Sequence, residues 1–204
     1  MQTNAPLTKG LKFLLALLVL CSVASANAHT EGMETSGFIA GFTHPMGGLD
    51  HLLAMVSVGI WGAWLGRPLI WALPVTFPLL MVVGGVLGIA GVPVPYVEPG
   101  IAASVVILGL AILAAWRAPI AVALVVVGIF GVLHGYAHGL ELPKSAAPQA
   151  YTAGFVLATG LLHLSGIALG MLKVVPRGPE ILRGSGAAIA AAGVWILIGM
   201  PGVA

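Results

Sequence analysis

Charge is scarce in this sequence. Lysine, arginine, aspartate and glutamate together make up 7% of its 204 residues, where a soluble domain carries about a quarter. Apolar residues make up 59%, so the composition excludes both a water-soluble globule and a disordered chain. No sign of charge dominates: eight basic and six acidic residues leave a net charge of +2. That is too weak a field to grip nucleic acid. A single cysteine rules out a disulfide framework and a thiolate zinc cage. Three signatures are also missing from the sequence: G-x-x-x-x-G-K-[ST], H-E-x-x-H and C-x-x-C-H. Their absence argues against a P-loop ATPase, a zincin-type protease and covalently attached haem. The chain does not read as an enzyme and calls for no permanent cofactor.

Long apolar runs are what the sequence does have. The first follows Lys9 and Lys12, covers roughly residues 11–23 and leads into Ala26-Asn27-Ala28. A basic n-region, an apolar h-region and an A-x-A site together predict a secretory signal peptide. Cleavage after Ala28 makes His29 the mature N-terminus and removes Cys21, the lone cysteine. An uncleaved first helix is the alternative. A lipoprotein site at Cys21 fits less well, because Leu20 stands where a small residue is expected.

Six further apolar segments follow, at approximately 45–65, 69–90, 98–116, 119–139, 151–172 and 181–200. Each is close to the ~20 residues that cross a bilayer. Short dividers rich in proline and glycine separate them. The expected architecture is all-α and polytopic. Residues 1–28 form the signal peptide, 29–43 a periplasmic N-terminal segment and 44–204 a domain of six transmembrane helices.

Charge sets the orientation. A cleaved signal leaves the mature N-terminus in the periplasm, with the chain in a bacterial cytoplasmic membrane. The inner loops then hold Arg67, Arg117, Lys173, Arg177 and Arg183, and the outer loops only Lys144. That distribution obeys the positive-inside rule. The same topology places every histidine except His163, and every acid except Glu180, at or near the outer face. His163 falls near the middle of the membrane. Ionisable groups inside a membrane are costly and mark a pathway or a site.

Two constellations stand out. The first is His44-Pro45-Met46-Gly47-Gly48-Leu49-Asp50-His51. Pro45 suits the first turn of a helix, with Thr43 or His44 near its N-cap. On a regular helix His44 and His51 share a face but stand ~10 Å apart along the axis. Either the Pro-Gly-Gly stretch is unwound or the two histidines act in sequence. Asp50 can be a ligand, an orienter of His51 or a proton acceptor; the plain alternative is a polar helix entrance favoured by the helix dipole. The second constellation is His134-Gly135-Tyr136-Ala137-His138-Gly139-Leu140-Glu141. His134 and His138 at i and i+4 can reach one ion, and Glu141 lies three residues further on. Imidazoles with a carboxylate suit nickel, cobalt or zinc; a helix C-terminus capped by histidines is the plain alternative.

Other candidates lie along the same route. The His29 imidazole and a free terminal amine can chelate together, beside Glu31 and Glu34. Glu98, Tyr136 and His163 are candidate pathway residues. Each also has a structural reading: a helix-dipole acid, a packed aromatic and a satisfied core histidine, respectively. Gly62/Gly66, Gly84/Gly88 and Gly166/Gly170 have GxxxG spacing and predict close helix packing. Such small-residue faces are equally compatible with a homo-oligomer. Pro74 and Pro78 predict a kink. Trp61, Trp64, Trp71, Trp116 and Trp195 read as interfacial anchors.

With these motifs in place, the sequence resembles the HupE/UreJ family of nickel/cobalt permeases over essentially its whole length. The family's first motif is similar to His44-Pro45-x-x-Gly48-x-Asp50-His51, and its second to the run from His134 to Glu141. Relatives often carry another histidine where this chain has Tyr136. The resemblance implies secondary transport of Ni2+ or Co2+ into the cytoplasm, to supply hydrogenase or urease. The metal is cargo, and the other expected partner is the lipid bilayer. Two other readings remain: a membrane accessory protein that binds metal without moving it, and a b-type haem electron-carrier subunit with His51 and His163 as axial ligands.

Overall fold

Proline and glycine punctuate the chain where its helices end. In the computed structural model, which describes residues 37–141 and 148–200, all regular structure is helical. In chain order the helices are α1 (Gly37–Gly47), α2 (Leu49–Leu65), α3 (Leu69–Ile89), α4 (Val97–Leu113), α5 (Ile120–Glu141), α6 (Pro148–Gly170) and α7 (Gly178–Ile198). A 3-10 turn, Met171–Val174, extends α6. Gly66 at φ 82° closes α2 and Gly91 at φ 67° closes the turn after α3, two positions where a left-handed backbone favours glycine. The expected signal peptide, with His29, Glu31, Glu34 and Lys144, lies outside the described residues.

The six expected segments correspond to α2 through α7, but they are not equal as membrane spans. Four stretches are long and apolar enough to cross: Leu69–Ile89, Ile120–Glu141, Gln149–Val174 and Gly178–Ile198. A fifth is the pair α1 and α2, bent by 83° at the break between them. Helix α4 has 17 residues, a length of roughly 25 Å against a hydrocarbon core of ~30 Å. The first segment also begins differently from expectation. Helix α1 already starts at Gly37, so Pro45 lies in its last turn rather than opening a helix. Thr43 is no N-cap; its hydroxyl donates back to the Ile39 carbonyl at 3.0 Å.

Four close helix pairs build the bundle, each on small residues; in one of them α1 meets α6, with Gly41 against Tyr151 and Gly154 against Phe38. Helices α3 and α5 run parallel, with Gly131, Gly135 and Gly139 pressed against the backbone of Phe77, Met81 and Gly85. Gly84 and Gly88 return the contact onto Val132 and Tyr136. Helices α2 and α6 are also parallel, joined where Gly59 and Gly166 meet and where Gly170 rests on Ile60. Helices α4 and α7 are antiparallel, with Gly109 against Gly186 and Ala190. Helix α2 is the hub: Ala54, Met55 and every residue from Ser57 to Ala63 are buried. Two of the three GxxxG readings hold as packing faces. In the third, Gly62 does face Leu69 and Ile70, but a Cβ on Gly66 would meet nothing within 4 Å, and Gly66 serves the turn.

The two ends of the bundle differ. At one end Lys173 Nζ donates to the Ala63 carbonyl and Arg183 Nε to the Leu113 carbonyl at 2.9 Å, so these cations satisfy helix C-termini. Trp61 and Trp64 donate to the Trp116 and Ala115 carbonyls there. Trp61 is therefore a core residue, fully buried and stacked on Trp116, not an interfacial anchor. Pro74 and Pro78 are both accommodated within the single helix α3. The histidines of both motifs gather at the opposite end.

Candidate metal site

The break between α1 and α2 brings the first motif together. Gly48 is extended (φ −102°, ψ 121°) between two helices, so the chain turns between His44, in the last turn of α1, and His51, in the first turn of α2. A straight helix would hold them ~10 Å apart along its axis. Here both rings reach His138 of α5. The His44 and His138 rings are 4.7 Å apart between centroids, and His51 and His138 are 4.5 Å apart. His134, one turn back on α5, lies 4.8 Å from His51. The break falls at Gly48 alone, while Pro45, Met46 and Gly47 remain in α1.

Hydrogen bonds fix two of the rings. Asp50 Oδ1 accepts from both the amide and the ring Nδ1 of His51, each at 2.8 Å. Nδ1 therefore carries the proton, and His51 Nε2 keeps its lone pair. His134 Nδ1 donates to the Phe130 carbonyl at 2.8 Å, which likewise leaves its Nε2 free. Both Nε2 atoms, and both ring nitrogens of His138, are buried without a partner. Buried polar atoms left unpaired are rare in folded proteins because each costs ~1–3 kcal/mol. Four such nitrogens within one cluster could hold a Lewis acid. Asp50 is the orienter of His51, in the carboxylate–histidine arrangement common behind metal ligands.

Glu141 closes the outer side. His44 Nε2 lies 3.4 Å from Glu141 Oε2. One ligand atom each from His44, His138 and Glu141 lie within 4.8 Å of one another. Two donors at ~2.1 Å from one ion are at most ~4.2 Å apart, so closing on an ion takes only a small side-chain shift. The site spans a gradient of burial: His134 is fully buried, His44 partly exposed and Glu141 exposed.

The remaining candidates sit elsewhere. Glu98 is exposed in the first turn of α4. The Tyr136 hydroxyl donates to the Val92 carbonyl at 2.8 Å and tethers the loop between α3 and α4. His163 is deeper, 1% exposed on α6. Two α6 residues that sequence reasoning did not single out also touch the cluster. Phe155 stands 4.3 Å from the His138 ring and Tyr151 5.9 Å from His44, and the Tyr151 hydroxyl is buried and unpartnered. Their i, i+4 spacing gives them a shared face, but nothing in the sequence aims that face at the histidines.

The model of the family described as HupE / UreJ protein matches residues 15–196. Protein HupE of Rhizobium leguminosarum bv. viciae is 44% identical over 185 residues, which are 91% of this chain and 95% of that protein. No solved structure matches the chain. The sequence match runs through both histidine motifs and all of the bundle's helices, and on it the chain belongs to the HupE / UreJ family.

Proposed function

We propose that this protein is a permease, a secondary transporter that carries Ni2+ or Co2+ across the bacterial cytoplasmic membrane and supplies a metalloenzyme such as hydrogenase or urease. The observation that carries the reading is the convergence of His44, His51, His134 and His138 at one end of an apolar bundle, the last three with unpartnered ring nitrogens. Imidazole with carboxylate suits borderline divalent ions. The rings of the cluster are close enough together to share a single ion. The family resemblance points the same way.

In this reading the chain crosses six times, with α4 and the broken α1–α2 pair as the shorter crossings. Cleavage after Ala28 leaves the mature N-terminus in the periplasm, and the arginine-bearing end is cytoplasmic. His29, Glu31 and Glu34 collect the ion. His44 and Glu141 receive it, with Glu98 at the same mouth. His51, held by Asp50, then binds it with His134 and His138 as its water is shed, and His163 lies further along. An ion that must leave again needs a site of moderate affinity with alternative ligands.

Uptake of radioactive nickel into cells lacking their own nickel transporters tests this. Wild-type chain gives uptake that cobalt suppresses and magnesium does not, and His51→Ala abolishes it at equal protein level. Binding without flux, for nickel, cobalt and zinc alike, overturns the transporter in favour of an accessory protein.

A further inference from the structure

Beyond the histidine cluster, one aromatic ring touches imidazoles at two depths. Phe77 of α3 is fully buried. Its ring lies 5.2 Å from His134 and, at an interplanar angle of 87°, 5.4 Å from His163. His134 belongs to the cluster; His163 does not. His163 is 1% exposed, its ring faces the Pro74 carbonyl, and neither ring nitrogen completes a hydrogen bond. One turn before it on α6, the Thr159 hydroxyl is fully buried and also unpartnered. A further turn back is Phe155, against His138. Residues 155, 159 and 163 share one face of α6, stepping ~6 Å at a time away from the cluster. That face carries unsatisfied polar atoms into an otherwise apolar core, where they are costly unless a partner passes.

The backbone around Phe77 is unusual as well. Pro74 and Pro78 lie within the same helix. Pro78 has no N–H for the Pro74 carbonyl, and Pro74 has none for Ile70. Two helical hydrogen bonds are therefore missing, one before Phe77 and one spanning it, and one freed carbonyl is the group that His163 faces.

Resting on the transport reading, we infer that Phe77 is the partition of the ion pathway, separating the outer histidine cluster from an inner receiving position formed by His163 and Thr159. An ion held at His51, His134 and His138 meets a closed ring. It reaches His163 only when Phe77 swings aside, and α3 lacks there the two hydrogen bonds that Pro74 and Pro78 cannot donate.

The test uses purified full-length chain, with Ni2+ binding measured in detergent and Ni2+ flux in proteoliposomes. Phe77→Trp enlarges the partition: binding stays within about twofold of wild type while flux falls by roughly tenfold or more. Phe77→Leu, the milder replacement that keeps the core filled, raises flux at unchanged binding. Thr159→Val lowers flux and leaves binding unchanged. Wild-type chain without flux overturns the transport reading and this inference with it. Wild-type flux that Phe77→Trp and Phe77→Leu leave unaltered overturns this inference alone. So does a Phe77→Trp variant that loses binding in proportion to flux, because Phe77 would then belong to the outer site.

Discussion

The Asp50 carboxylate accepts two hydrogen bonds from one residue, the amide and the ring of His51. The first fixes the carboxylate at the start of α2 and the second fixes the tautomer of the imidazole. Asp50→Asn keeps the shape, removes the charge and allows the amide to flip. It should lower Ni2+ affinity by about 10–100-fold, the usual cost of losing such a support, at unchanged protein level; equilibrium binding to the purified variant measures it. The same chemistry sets a pH dependence. Ligand imidazoles bind metal only when unprotonated, so protons compete with the ion. Binding should therefore weaken as pH falls, which equilibrium binding across a pH series measures. Affinity that rises as pH falls would remove the histidines from the site.

At the scale of helices, glycine does two separate jobs. Gly48 sits at the break, where a Cβ would stand 2.8 Å from Asp50 Oδ1 and 3.1 Å from His51 Nδ1. Gly135 instead lets α5 lie on the backbone of Met81 in α3. Gly135→Leu should therefore force the two helices apart and cost at least ~1–3 kcal/mol, seen as a lower unfolding temperature in detergent. Gly160→Ala, which meets nothing within 4 Å on α6, should leave that temperature within a degree or two of wild type. The sequence made some of this architecture legible. Proline and glycine clustered together mark chain breaks, so the helix boundaries near Gly66-Arg67-Pro68 and Arg177-Gly178-Pro179 could be placed. The spacing of His134 and His138 likewise fixed a shared face. What pattern alone does not give is the neighbour. Periodicity orients a helix about its own axis but does not say which helix it will meet. The approach of His44 and His51 to His138, and of Phe77 to two imidazoles, therefore emerged only with the packing. Helix α1 was hidden for a related reason: Gly37, Gly41 and Pro45 are weak helix formers, and its contacts with α6 supply what propensity lacks.

For the whole molecule, the segregation of charge becomes a statement about direction. Lys173 and Arg183 bind helix C-termini at one end, where Trp61 and Trp64 also donate to backbone carbonyls, and the histidine cluster occupies the other. If cations remain on the cytoplasmic side, the cluster opens to the periplasm and the ion moves inward from it. Cysteine placement can decide this, because the only native thiol, Cys21, is removed by Cys21→Ser. In that background Val92→Cys marks the loop at the histidine end and Val175→Cys the loop at the arginine end. These positions are 42% and 43% exposed, so a difference in labelling reports sidedness rather than burial. A membrane-impermeant maleimide added to intact spheroplasts should label Val92→Cys and spare Val175→Cys until the membrane is opened. The reverse pattern would turn the bundle over, place the clustered histidines on the cytoplasmic side and make export the direction to test.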